Sequence, residues 1–154
     1  MKTKILMVCL GNICRSPLAE GILKDKLNSK DYFIDSAGTG GYHIGNLPDH
    51  RSIAVAKEHG IDILDQRCRK FDIKDFETFD YIYVMDLNNY ADIVKLTDNK
   101  AYQDKVTLLL QETTQDKKQV PDPYHDDNGF EHVFQLIDEA CTIIANNFTK
   151  FKED

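Results

Sequence analysis

The segment Lys4-Ile-Leu-Met-Val-Cys9, together with the loop and helix start beyond it, restricts the fold more than any other part of the chain. A short unbroken apolar run fits a strand buried on both faces of a parallel sheet, because a strand with one wet face would alternate. A polar Gly11-Asn12 turn comes next, and Ser16-Pro17 then opens a helix. Serine suits the N-cap, and proline suits the first helical position, where its missing N–H is no loss. The capping box stays incomplete, since Ala19 stands where Glu or Gln would close it. Leu18, Ala19, Ile22, Leu23 and Leu27 recur at helical spacing.

The same alternation runs to the end of the chain. Residues 32–35 read as a second strand, the Gly-rich stretch 37–48 as a loop, and 51–59 as a helix stopped by Gly60. Residues 81–85 form the next buried strand, 87–96 a helix and 105–110 a further strand. A long polar loop, 111–125, precedes the most regular helix, in which Phe130, Val133, Phe134, Ile137, Cys141, Ile144, Ala145 and Phe148 share one face. Strands alternating with helices predict an α/β fold, a parallel sheet with helices on both faces, in a single domain over residues 1–154. Ligands of such sheets bind beyond the carboxyl ends of the strands, which is where Cys9 falls.

Composition acts through what it excludes. A formal net charge of -7, with no basic stretch to offset it, argues against nucleic-acid partners. An anionic substrate must then be held by a local device. No apolar run reaches a membrane span, and the run 5–10 is too short for a signal peptide, so a cytoplasmic protein is expected. Four Cys without a secretory signal read as thiols. They form no CxxC pair and the five His do not cluster with them, so no metal site and no cofactor are expected.

The chemistry is concentrated in Cys9-Leu10-Gly11-Asn12-Ile13-Cys14-Arg15-Ser16. A loop joining a strand end to a helix start gathers the backbone N–H groups of Leu10, Gly11, Asn12, Ile13 and Cys14 around one point, and the helix adds the positive end of its dipole. Gly11 and Asn12 are the residue types that tolerate the left-handed conformations such a nest needs. Arg15 can fork two hydrogen bonds to phosphate oxygens. The same field favours the thiolate of Cys9, which can attack phosphorus and form a phosphocysteine. Ser16 can donate a hydrogen bond to that sulfur. Asp122, held between Pro121 and Pro123, is a candidate general acid for the departing oxygen, and Tyr124 an aromatic wall for a planar leaving group. Standing alone, a Cys-x5-Arg spacing could be a tight strand–helix turn, and an Asp-Pro pair an ordinary turn.

Together with Asp35-Ser36-Ala37-Gly38, Met85-Asp86 and Asp122-Pro123-Tyr124, this loop resembles the low-molecular-weight protein tyrosine phosphatase family over nearly the whole chain. The resemblance implies a four-stranded parallel sheet in the order 2-1-3-4, metal-independent hydrolysis of phosphotyrosine in proteins, cytoplasmic residence and a monomer. It implies Cys9 as nucleophile, Arg15 as phosphate and transition-state ligand, Asp122 as acid, and a polar network of Asn12, Ser16 and Ser36 that holds the loop. It also extends to Cys14 a part in bridging an oxidised Cys9. This chain has Tyr42 where some relatives carry Trp, His125 where some carry a second Tyr, and Gln66 where some place a supporting His.

Two other functions share part of this pattern. A thiol-coupled arsenate reductase has the same first loop but needs two further relay cysteines, and Cys68 and Cys141 are far apart in sequence. A phosphate carrier would use Cys9 without turnover, which Arg15 disfavours. His43, His50, His59 and His132 read as surface or helix-end residues, Lys117-Lys118 as a solvated pair, and Phe130, Phe134 and Phe148 as core.

Overall fold

Four parallel strands, β1 (Thr3–Cys9), β2 (Tyr32–Gly38), β3 (Tyr81–Val84) and β4 (Val106–Leu108), make one sheet in the order β2-β1-β3-β4 in the computed structural model, which describes residues 1–150. Six helices connect them or close the chain: α1 (Arg15–Lys26), α2 (His50–Glu58), α3 (Asp75–Thr78), α4 (Leu87–Val94), α5 (Lys100–Gln103) and α6 (Phe130–Lys150). The apolar run of β1 supplies both cores, because side chains alternate across a strand. Ile5, Met7 and Cys9 pack with Leu18 and Ile22 of α1, Val55 of α2 and Phe134 and Ile137 of α6. Leu6 and Val8 face the other way and pack with Ile82, Val84, Phe76 of α3 and Ile93 of α4. This is the α/β architecture with two-sided cover that the alternation of elements predicts, in the strand order that the family resemblance implies.

Several boundaries move for physical reasons. Helix α1 starts at Arg15, so Ser16-Pro17 lies inside its first turn; Cys14 takes the cap position without a side-chain bond. The Ser16 hydroxyl is engaged by the Cys9 sulfur instead of capping the helix. Strand β2 runs on to Gly38, because residues 69–71 pair beside it: the Gly38 N–H donates to the Arg69 carbonyl and the Phe71 N–H to the Gly38 carbonyl. No side chain fits at Gly38, where a Cβ would stand 2.9 Å from the Leu10 carbonyl oxygen. Asp49, one residue earlier than expected, caps α2 by accepting the Arg51 N–H at 2.8 Å. The sheet's later elements are shorter than predicted, and α3 and α5 are single turns.

Candidate active site

Strand β1 delivers Cys9, only 2% exposed, to the floor of a loop that ends in α1. Asn12 shapes that loop: its φ of 56° is the one left-handed non-glycine conformation among the described residues. Asparagine tolerates the region because its short polar side chain bonds locally. Here its amide nitrogen donates to Ser16 Oγ at 2.8 Å and to Ser36 Oγ at 3.0 Å, while its Oδ1 accepts the Arg69 N–H at 2.9 Å. Its backbone N–H donates to Cys9 Sγ at 3.3 Å. With the Asn12 amide donating to the Ser16 oxygen, the Ser16 hydroxyl proton is left for Cys9 Sγ, 3.0 Å away.

The network continues beneath the loop. The Ser36 hydroxyl donates to Glu20 Oε1 at 2.6 Å, and Lys24 Nζ donates to Glu20 Oε2 at 2.6 Å. Burial raises the Glu20 carboxyl above its usual range, although both hydrogen bonds pull it down. Arg69 ties the loop to its surroundings through Asp35 at 3.1 Å and Asp75 at 3.0 Å. Gln66 stays outside this network and donates to the Pro17 carbonyl at 3.0 Å.

Arg15 is buried and held from the third strand's side. One terminal nitrogen, Nη1, donates to Asp86 Oδ2 at 2.6 Å and to the Val120 carbonyl at 3.0 Å. The other, Nη2, lies 3.7 Å from Asp122 Oδ2. Burial alone would lower the guanidinium; the charges of Cys9, Asp86 and Asp122 and the Asp86 hydrogen bond reverse that, and the net shift is upward. Asp122 remains partly exposed on its loop, and its Oδ1 accepts the Tyr124 N–H at 3.1 Å.

Cys9, Leu10, Gly11, Ile13, Cys14, Arg15, Tyr42, Asp122 and Tyr124 therefore line one cavity of about 370 Å³. Asn12, Ser16 and Ser36 stand behind it, buried under the loop, so their side chains shape the site without lining it. Tyr42, 72% exposed, and Tyr124, 42% exposed, form the rim. Gly11 has a role other than the left-handed one predicted: among the described residues, only Gly45 and Gly60 are glycines with positive φ. A Cβ on Gly11 would approach the His43 ring at 3.3 Å, so this glycine makes room for a side chain across the cavity. His43 and His125 line the cavity too, which corrects the surface reading of His43.

Asp86, Glu20, Arg69 and His43 join the site without having been singled out for it from the sequence. Asp86 carried a usable signal, because it sits just past a buried strand at the ligand-binding edge. Glu20, a carboxylate among the buried positions of α1, carried another. Cys68, distant in sequence, directs its thiol to the Asn12 carbonyl at 2.8 Å, and burial and the Cys9 charge push it up to about 11. Cys141 is fully buried on α6 near the Ala19 carbonyl. Among the described residues, no group of three or more His, Cys, Asp or Glu is placed to hold a metal ion, and no helix is long and apolar enough to cross a membrane.

A thiol, a guanidinium and a helix N-terminus converging at the carboxyl edge of a parallel sheet make this an α/β protein with a cysteine-centred cavity whose chemistry suits a tetrahedral anion. The family profile of low molecular weight phosphotyrosine protein phosphatases matches residues 4–154. The chain is similar to the human low molecular weight phosphotyrosine protein phosphatase, 40% identical with 89% of this chain and 90% of that one covered. It is also similar to the low molecular weight protein-tyrosine-phosphatase YfkJ of Bacillus subtilis, 37% identical over 97% of each chain. The YfkJ crystal structure superposes with a TM-score of 0.91 over 99% of this chain and 98% of that one. Vibrio vulnificus Wzb, solved with benzylphosphonate, superposes with a TM-score of 0.85 at 32% identity, covering 96% and 99%. The chain belongs to the low-molecular-weight phosphotyrosine protein phosphatase family, and it is a phosphatase.

Proposed function

We propose that this phosphatase removes phosphate from phosphotyrosine in proteins through a covalent phosphocysteine. In the first step Cys9 Sγ attacks phosphorus, the phosphorus–tyrosyl oxygen bond breaks, and protonated Asp122 gives its proton to the departing oxygen. In the second, water attacks the phosphocysteine, the Asp122 carboxylate takes the water's proton, and the sulfur–phosphorus bond breaks with the Ser16 hydroxyl donating to the leaving sulfur. Arg15 and the loop N–H groups hold the equatorial oxygens throughout. Each step uses a protein group, so this reading calls for no metal ion or cofactor. The cavity is complete in one chain, which supports action as a monomer, and four buried free thiols suit the reducing cytoplasm.

One observation carries the reading: Arg15 Nη2 and Asp122 Oδ2 stand 3.7 Å apart over a floor made by Cys9, beneath a rim of two tyrosines. A flat phenyl phosphate can reach that floor between Tyr42 and Tyr124, whereas the short arm of phosphoserine cannot. The benzylphosphonate bound to Wzb is an aromatic ring joined to a tetrahedral oxyanion, which fits the same shape. The thiol-relay alternative draws less support: Cys68 lies under the loop, but Cys141 is sealed in the core against α1.

The test compares leaving groups. Asp122→Asn should slow hydrolysis of phenyl phosphate far more than that of an aryl phosphate whose phenolate leaves unaided. Equal losses on both substrates would remove Asp122 from the acid role, and comparable kcat/KM on phosphoserine and phosphotyrosine peptides would overturn the pocket.

A further inference from the structure

A second groove of about 360 Å³ adjoins the catalytic cavity and shares Leu10 and Tyr42 with it. Ile73 and Leu96, both exposed, line it together with Lys70 and Lys95. Lys95 is paired with Asp92 at 3.3 Å. Lys70 runs its stem along Gly41, yet its ammonium has no hydrogen-bond or ion-pair partner among the described residues. The other rim of the cavity has the opposite character. There Arg51, over the Tyr124 ring, is neutralised twice, by Asp49 at 2.9 Å and by Asp127 at 2.5 Å. An unpaired cation on one flank and a surplus of carboxylates on the other give the mouth a polarity, in a chain whose net charge is -7.

We propose that this groove seats the residues flanking phosphotyrosine on one side of the substrate, with Lys70 selecting an acidic side chain and Leu10, Ile73 and Leu96 receiving an apolar neighbour. The inference rests on the phosphotyrosine reading and adds to it a substrate class: acidic sequence on one flank only. The groove begins at the cavity wall, and an extended peptide advances about 3.3 Å per residue with alternate side chains on one face. Lys70, whose stem lies against Gly41 beside Tyr42 of the shared wall, meets a side chain close to the phosphotyrosine. The carboxylates beyond Arg51 repel the same acidic side chain on the opposite flank, so the preference also fixes the direction in which the peptide lies.

Phosphotyrosine peptides carrying Glu, Ala or Lys at single positions on either side, assayed for kcat/KM at low salt, test this. Glu should exceed Lys by about two- to fivefold, the size of an exposed ion pair, on one flank only, and added salt should shrink the ratio. Lys70→Gln should erase the preference and Lys70→Glu invert it, while both variants turn over a small aryl phosphate as the wild type does. A preference that survives both substitutions, appears equally on both flanks, or is absent from the wild type would overturn the proposal. Failure of the underlying reading shows differently, as no turnover of the aryl phosphate itself.

Discussion

Arg15 enters the cavity already anchored, with Nη1 committed to Asp86 and Val120 and Nη2 left facing Asp122, and the proposed phosphate contact falls to the rest of the fork. A lysine has one nitrogen for both tasks. Arg15→Lys should therefore cost at least ~2 kcal/mol of transition-state stabilisation, about 30-fold in kcat/KM, while phosphate still binds weakly. A loss below about threefold would show that the fork is not used. Cys14, 4% exposed on the same loop, presents the opposite case to an activated thiol. Burial first, then the charges of Asp49 and Cys9, pushes it up to about 12. Its thiolate is scarce at neutral pH, and scarcity sets the rate at which it can resolve an oxidised Cys9. Formation of a Cys9–Cys14 disulfide after brief peroxide treatment, measured by peptide mass analysis, should thus accelerate about tenfold per pH unit above neutrality. A flat rate, or no disulfide at all, would reduce Cys14 to packing.

Helix α4 and helix α1 are coupled through one carboxylate. Asp86 accepts the Asn89 N–H with Oδ1, capping α4, and receives Arg15 with Oδ2. The two roles separate chemically, because asparagine caps a helix as well as aspartate does. Asp86→Asn should keep the cap but set an amide donor against the buried Arg15, lowering both stability and kcat/KM; Asp86→Ala loses the cap as well, a further ~1 kcal/mol of stability. Parallel urea melts and kinetics check this, and equal stability losses in the two variants would contradict it. Among these elements the sequence was legible wherever its signals were local. The β1–loop–α1 unit could be read because an apolar run, a Gly-Asn turn and a Ser-Pro start lie within a few residues, although the helix begins one residue earlier, at Arg15. The Arg15–Asp86 pair joins positions 71 apart, and nothing in either neighbourhood announces the other. Strand β2 outran its expected end because residues 69–71 pair with Gly38, a tertiary effect. The single turns α3 and α5 are too short for periodicity to register. Gly11 was misread because two neighbouring residues can supply a left-handed turn and only Asn12 does so.

A chain of hydrogen bonds joins α1, β2 and the loop, from Glu20 on α1 through Ser36 on β2 to Asn12, Ser16 and the Cys9 sulfur. Its buried end has a pH signature. Burial raises the Glu20 carboxyl, so the folded state holds that proton more tightly than the unfolded chain does. The resulting stability is present at pH values below the unfolded carboxyl's range and is lost as pH rises through the raised folded value. Relative to Glu20→Gln, the wild type should therefore lose stability on going from acid to neutral pH, measured by urea midpoints; a pH-independent difference would contradict the shift. The network ends on the Cys9 sulfur, and every step proposed for the site depends on that sulfur acting as the nucleophile. Turnover of an aryl phosphate, quenched in acid and digested, should place a phosphate on the peptide bearing Cys9, and the Cys9→Ser variant should show neither that adduct nor turnover while still binding inorganic phosphate. Turnover by Cys9→Ser within about tenfold of wild type, or a phosphate recovered on any other residue, would contradict it.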